Sequence, residues 1–377
     1  MKSQELVDKS KQIIGSRMKM DLFSRLYGAP VFKQKKNKLS PEELIQIQDE
    51  LLAAGIYSDL SRSRRKYYLK VLRNLEGRDR PRYFLHFLLF VLTIGTTTLT
   101  GAFLRGKDPF LSFDNFSYGF KYSFALMAIL FAHEMGHYLY SRKYKVRASL
   151  PYFIPLFLPG FFHPGTMGAF IRIRSPIPSK KALFDIGIAG PIAGFILSVL
   201  FLVIGFAALP DKEGVIAYIE QIHPLDNPGG INLVLGHSLL YDSLAWLFNG
   251  THLPMNEMYH FPFIFAGWFG LLVTAINLMP IGQLDGGHIT YALFGDRAAR
   301  VAILSFGVLI ILNVYLIYNY NSYIWVLWLF LIFFFIRFRH PPTLNDSIDL
   351  RTPRKILGWV SYVIFILCFS PMPIYIG

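Results

Sequence analysis

Residues 117–140 read SYGFKYSFALMAILFAHEMGHYLY, an apolar run of the length that a bilayer span needs, about 20 residues, with three ionisable side chains toward its end. Such groups inside a span are costly unless they pair or ligate, so His133, Glu134 and His137 are read together as a site and the run as a membrane helix. Residues four apart lie one above the other on a helix. His133 and His137 can therefore meet one metal ion, while Glu134, rotated by about 100°, falls beside the ion rather than on it.

The rest of the chain agrees with a membrane reading. Of 377 residues, 53% are hydrophobic and 16% charged, with 35 Phe and 21 Tyr, against about one-quarter charged in a soluble domain. Mean hydropathy is +0.39. This excludes disorder and an ordinary soluble globule. Further apolar segments lie at roughly 83–104, 183–209, 261–283, 300–318, 322–337 and 355–371. The fold class expected is an all-α polytopic membrane protein with about seven transmembrane helices.

The formal charge of +14 reads as topology, and no nucleic-acid partner is expected. Arg62, Arg64, Arg65, Lys66, Lys70, Arg73, Arg78, Arg80 and Arg82 precede the first span. Arg142, Lys143, Lys145 and Arg147 follow the second, and Arg337, Arg339, Arg351, Arg354 and Lys355 lie between the last two. By the positive-inside rule these fix the N-terminus in the cytoplasm; a bacterial inner membrane is the default setting, with a plastid or archaeal membrane as the alternatives. Residues 210–260 set Asp211, Glu213, Glu220, Asp226, Asp242 and Glu257 against Lys212 and belong outside. Cys368 is the sole cysteine, which excludes an internal disulfide and leaves His, Asp or Glu to hold any metal.

Two regions are expected: a cytosolic helical N-terminal domain, 1–82, and a transmembrane domain, 83–377, with a core at 117–295 and an extracytoplasmic insertion at 210–260. The best helix of the first starts at Ser40, with Pro41 in its first position, Glu43 three residues after the cap, Leu44, Ile47 and Leu51 on one face, and Gly55 at its end. Between 150 and 178, Pro151, Pro155, Pro159, Pro164, Pro176 and Pro178 forbid a straight helix. There Ala169, Ile171 and Ile173 alternate with Phe170, Arg172 and Arg174 in the period of a strand. Backbone of this kind at membrane depth needs a water-filled cavity beside it, so a membrane-embedded β-hairpin or re-entrant loop is expected near the site.

Catalytic zinc normally takes three protein ligands. Asn277-Leu-Met-Pro280-Ile-Gly282-Gln-Leu-Asp285-Gly286-Gly287-His288 supplies the third: Asp285 is favoured, and His288 is the alternative. Pro280 and the glycines break the helix there and free backbone to approach a substrate. His163, His223, His237, His252 and His260 show no ligand spacing and read as solvated. Asp185 reads as a cap at the cytoplasmic edge or, as the alternative, a partner supporting the metal ligands, and His340-Pro341-Pro342 as a stop and linker.

The two motifs together resemble the site-2 protease family of intramembrane zinc metalloproteases, peptidase M50, and most of all its PDZ-lacking, EGY-like branch. Gly187-Ile-Ala-Gly-Pro191-Ile-Ala-Gly194 is similar to the family's small-residue motif, and Gly165-Thr-Met-Gly168-Ala-Phe-Ile to its membrane-embedded hairpin. The resemblance implies an intramembrane zinc endopeptidase that cuts transmembrane segments of membrane proteins. One Zn2+ per chain would be held by His133, His137 and Asp285, with Glu134 handling protons. An unwound substrate would add to the strand edge at Gly168, Ala169, Phe170 and Ile171, with Asn277 and Pro280 on its opposite side. The partners expected are transmembrane protein substrates and the lipid bilayer; oligomeric state is left open. The rival is an ion-coupled membrane transporter using the same buried groups, against which stands the lack of a second copy of either motif.

Overall fold

Ser40 starts its helix by reciprocal capping: Glu43 N donates to Ser40 Oγ at 3.2 Å and Ser40 N to Glu43 Oε2 at 2.7 Å, which satisfies two of the free amides at the helix start. The computed structural model describes residues 3–15, 18–21, 31–34, 40–63, 66–72, 82–160, 162–223, 233–336, 338, 340–346 and 349–376. Arg64, Arg65, Arg73, Arg78, Arg80, Asp226, Arg337 and Arg339, used above in the charge pattern, lie outside them.

The N-terminal region is not simply helical. Helices α1 (Ser3–Ile14) and α2 (Pro41–Ala53) accompany strands β1 (Met18–Asp21), β2 (Val31–Gln34), β3 (Tyr57–Ser63) and β4 (Lys66–Leu72). The strands form an antiparallel sheet in the order β1-β2-β4-β3. The expectation of a helical domain is corrected by side-chain alternation: Leu69 and Val71 of β4 are fully buried while Lys70 between them is not, the period of a strand with one covered face. They share a core with Phe32 and with Leu44, Ile47 and Leu51 of α2. The region meets the rest of the chain at Leu344, whose carbonyl accepts from Leu60 N at 2.7 Å and from Gln48 Nε2 at 3.3 Å.

The remainder is mostly helical: α3 (Tyr83–Phe103), α4 (Phe113–Ser117), α5 (Phe120–Lys143), α6 (Lys180–Ala207), α7 (Lys212–Glu220), α8 (Leu239–Leu247), α9 (Pro262–Leu278), α10 (Asp285–Phe294), α11 (Ala298–Tyr320), α12 (Ile324–Leu331) and α13 (Thr352–Cys368). Each of the seven apolar segments carries a helix. Among the described residues, however, three helices are long and apolar enough to cross a membrane: α3, α6 and the continuous run Asp285–Tyr320. By length and composition these are three of the seven spans expected; α9 is a shorter apolar helix, and the polar His133, Glu134 and His137 lower the hydropathy of α5. Helix α6 lies at the centre, packed along α5 and α9.

Strands β5 (Tyr152–Pro155) and β6 (Thr166–Phe170) form the expected hairpin, pairing Tyr152 with Phe170, Phe153 with Ala169 and Pro155 with Thr166. The strand anticipated through Arg174 stops at Phe170. Beyond it the Ser149 hydroxyl takes the Arg172 amide at 2.9 Å, and antiparallel pairing resumes in a bridge between Ala148 and Ile173, with Arg174 N donating to the Arg147 carbonyl at 2.7 Å. Strands β7 (Leu233–Leu235) and β8 (Ile374–Ile376) pair antiparallel, which brings the last described residues against the 210–260 segment.

Candidate functional site

Helix α5 carries His133 and His137 on its buried face, and close approach to α6 fixes where they point. A Cβ on Gly136 would lie 2.5 Å from the Ala189 carbonyl oxygen, and one on Gly190 only 2.1 Å from His137 Nε2. Only bare glycine fits at either contact. The Ile186 carbonyl receives the His137 Nδ1 hydrogen at 2.7 Å, which leaves Nε2 as a lone pair facing inward. Pro191 lies within the same helix and cannot donate to the ladder.

The carboxylate arrives from a tight reversal between α9 and α10. Gly282 sits at φ 55°, a left-handed conformation natural to glycine. The turn then closes so tightly that a Cβ on Gly286 would lie 2.1 Å from the Leu278 carbonyl. Asp285 occupies the first turn of α10, where the helix dipole favours an anion. Its Oδ2 lies 3.4 Å from His133 Nε2 and 3.2 Å from His137 Nε2, and the two imidazole nitrogens are 3.1 Å apart. Two nitrogen lone pairs and a carboxylate oxygen at mutual contact suit a small divalent cation.

A cavity of about 260 Å³ opens on this triangle. Glu134, Ala169, Phe170, Ile171 and Asn277 line it, and the Ile171 main-chain amide bonds the Glu134 carboxylate. Asn277 Nδ2 lies 3.3 Å from His133 Nε2. Of the residues read as substrate-binding, Gly168 and Pro280 do not line the cavity, whereas Gln283 and Leu284, which were not singled out for it, do. His288 also lines it, its Nδ1 2.6 Å from His340 Nε2, but it is not among the converging donors, which are His133, His137 and Asp285. His340 is more than a stop, since it also stacks on Tyr291.

Other readings also change. Asp185 is not the cap of α6, a role taken by Ser179. It accepts from Arg354 Nε at 2.8 Å and Nη2 at 2.9 Å, and from the Tyr144 hydroxyl, tying together the ends of α5, α6 and α13. Burial, with that bond to Asp185, pushes the Tyr144 hydroxyl up to about 12. His163 is not simply solvated: its ring nitrogens lie 3.1 Å from Leu158 N and 2.9 Å from Gly165 N, and the one without the hydrogen accepts, tying the ring into the proline-rich loop. His223 and His260 converge with Glu257 into a second group of possible ligands. No spacing signals it, because His223 and Glu257 are 34 residues apart.

Comparison with known proteins agrees with this geometry. The model described as Peptidase family M50 matches residues 121–314, a stretch that contains both motifs. A protein of Oryza sativa subsp. indica named probable zinc metalloprotease EGY2, chloroplastic, is 31% identical over 297 residues, 77% of this chain and 49% of the relative. The Arabidopsis thaliana protein named probable zinc metalloprotease EGY1, chloroplastic, is 27% identical over 310 residues, 77% of this chain and 53% of that one. The chain thus spans about half the length of the curated relatives it matches. No solved structure matches it. The expectation of a bacterial inner membrane is overturned by these relatives, which are named chloroplastic.

Proposed function

The chain belongs to peptidase family M50, and from that premise we propose that it is an intramembrane zinc endopeptidase that cuts the membrane-spanning segments of protein substrates. The observation that carries the reading is the triangle of His133, His137 and Asp285 with Glu134 beside it on one cavity. His133, His137 and Asp285 would hold the zinc. Bound there, the ion supplies Lewis acidity, bringing the pKa of a water toward neutrality and polarising the scissile carbonyl.

Glu134 carries the protons: it takes one from the attacking water and returns it to the departing amine. A peptide bond inside an intact helix is shielded by its own hydrogen bonds, so the substrate must unwind before it is cut. Strand β6 belongs to a two-stranded sheet, and its outer edge can pair with the unwound chain, as in strand addition generally. Asn277 then grips the substrate from the side opposite Ala169, Phe170 and Ile171.

The membrane domain in this reading has seven crossings, with the site near the face that bears the basic loops. Two observations support it. Phe84, Phe87, Leu304 and Ile311 of α3 and α11 are exposed, as lipid-facing side chains would be. The two ends of α13 also lead to opposite sides: Arg354 joins the Asp185 group, whereas the chain just past its far end pairs with β7. The test uses the full chain, wild type and Glu134→Gln, purified in detergent with a panel of tagged single-span substrates. Mass spectrometry follows products, and bound zinc is measured alongside. Cleavage by wild type alone, with zinc held by both, is expected. Equal cleavage by the two would overturn the role of Glu134, and zinc binding by neither would return the buried charges to a transport relay.

A further inference from the structure

We propose a second metal centre in the 210–260 segment, formed by His223, Glu257 and His260 and suited to a borderline divalent cation such as Zn2+. His223 Nε2 lies 3.0 Å from Glu257 Oε2 and 3.2 Å from His260 Nε2, and the third edge, His260 Nε2 to Glu257 Oε2, is 3.2 Å. Around a tetrahedral ion with bonds of about 2.0–2.2 Å, neighbouring donor atoms stand roughly 3.3–3.6 Å apart. The three edges approach that size within about 0.3 Å.

Protons alone do not account for this triangle. The His260 Nδ1 contacts the Leu104 main-chain carbonyl, which can only accept, so Nδ1 carries the hydrogen and a neutral His260 presents a lone pair at Nε2. A hydrogen on His223 Nε2 can donate to Glu257, but it leaves His260 Nε2 and Glu257 Oε2, 3.2 Å apart, as a contact between acceptors. Protonating His260 Nε2 as well makes that ring an imidazolium in a largely buried site and sets two N–H groups against each other at 3.2 Å, which neither can relieve. One cation at the centre satisfies all three edges.

The surroundings are those of a built site. Asn256 Nδ2 holds Glu257 Oε1 at 2.9 Å and so turns Oε2 toward the two rings. Tyr218 Oη donates to the His260 carbonyl at 3.4 Å and itself receives Arg105 Nε at 3.0 Å. Such outer contacts fix ring orientation at metal sites generally. The side chains of Glu257 and His260 are 6% and 4% exposed, and that of His223 is 21% exposed. The donors come from the turn after α7 and from the segment leading into α9, with Leu104 at the end of α3 bracing His260. The centre would pin the 210–260 segment to the membrane helices.

This inference stands apart from the peptidase reading and is tested on the same full-length protein. Zinc per chain is measured after dialysis against the cation for wild type, for His133→Ala with His137→Ala, and for His223→Ala with Glu257→Gln. Two zinc ions are expected in wild type and one in each double variant. X-ray absorption at the zinc edge of the His133→Ala, His137→Ala protein should show imidazole nitrogens at about 2.0–2.1 Å, a readout that survives if the other variant fails to fold. A single zinc lost with His133 and His137 and indifferent to His223 and Glu257 would overturn the proposal, as would no zinc at all. A single zinc kept without His133 and His137 but lost without His223 and Glu257 would support this centre and count against the peptidase reading.

Discussion

Two triangles of the same donors, two imidazoles and a carboxylate, stand in different parts of this chain. The first has edges of 3.1, 3.2 and 3.4 Å and the second of 3.0, 3.2 and 3.2 Å. Their ligand geometry hardly separates them; their neighbours do. The first opens on a cavity with a carboxyl, Glu134, that is free of the triangle and bonded by the Ile171 amide. The second spends its carboxylate as a donor and is braced by Asn256, Leu104 and Tyr218. A metal set becomes chemically useful through the acid beside it and the space before it. The same set without them is a staple.

Glu134→Gln and Glu257→Gln separate the two most sharply. The first should lower cleavage by roughly 10²–10⁴-fold, the usual contribution of a general base, while keeping its zinc. The second should lose a zinc. Loss of metal in both would erase the distinction. Next, excess zinc at about 100 times its Kd should stabilise the wild type by about 2.7 kcal/mol per bound site, seen as a rise in Tm, and His223→Ala should lose its share of that rise.

Gly190→Ala should weaken zinc at the first triangle by roughly tenfold or more, because the new methyl would meet His137 Nε2 at 2.1 Å and overpacking displaces a ligand. Gly194→Ala, whose methyl stands 3.2 Å from His133 Nδ1, should do much less in the same competition titration. The smallest effect expected is for Asp185→Asn. Losing its pair with Arg354, a side chain 27% exposed, should cost about 1 kcal/mol in thermal unfolding. It should also weaken the first triangle slightly, through the adjacent Ile186 carbonyl that orients His137.

The first triangle was legible because most of its information is local. His133 and His137 are one helical turn apart, and Asp285 lies among residues that break a helix. The second was not, because its members acquire proximity only through the tertiary path from α7 to the start of α9. In the N-terminal region, the capping residues at Ser40 announced α2, while β3 and β4 were obscured by charged residues such as Lys70 on their open face. The alternation of Leu69 and Val71 was the signal available. The hairpin was legible from prolines and alternation, and pairing does resume at Ile173, but the break after Phe170 was not legible, since the Ser149 hydroxyl that takes the Arg172 amide comes from 23 residues away. Hydropathy and chemistry pull apart at α5: the polar residues that mark it as a candidate site also lower its hydropathy.

The contact of the N-terminal region with Leu344 bears on how the chain is made. Gln48 and its acceptor are 296 residues apart. At the usual pace of translation, about 5–20 residues per second, the acceptor is synthesised roughly 15–60 s after the donor. The interior that unites Leu44, Ile47 and Leu51 with Leu69 and Val71 draws only on residues of that region, so it can close while the later helices are still being inserted. Docking on Leu344 is then a final step of assembly, completed only after the membrane portion as far as α12 has been synthesised.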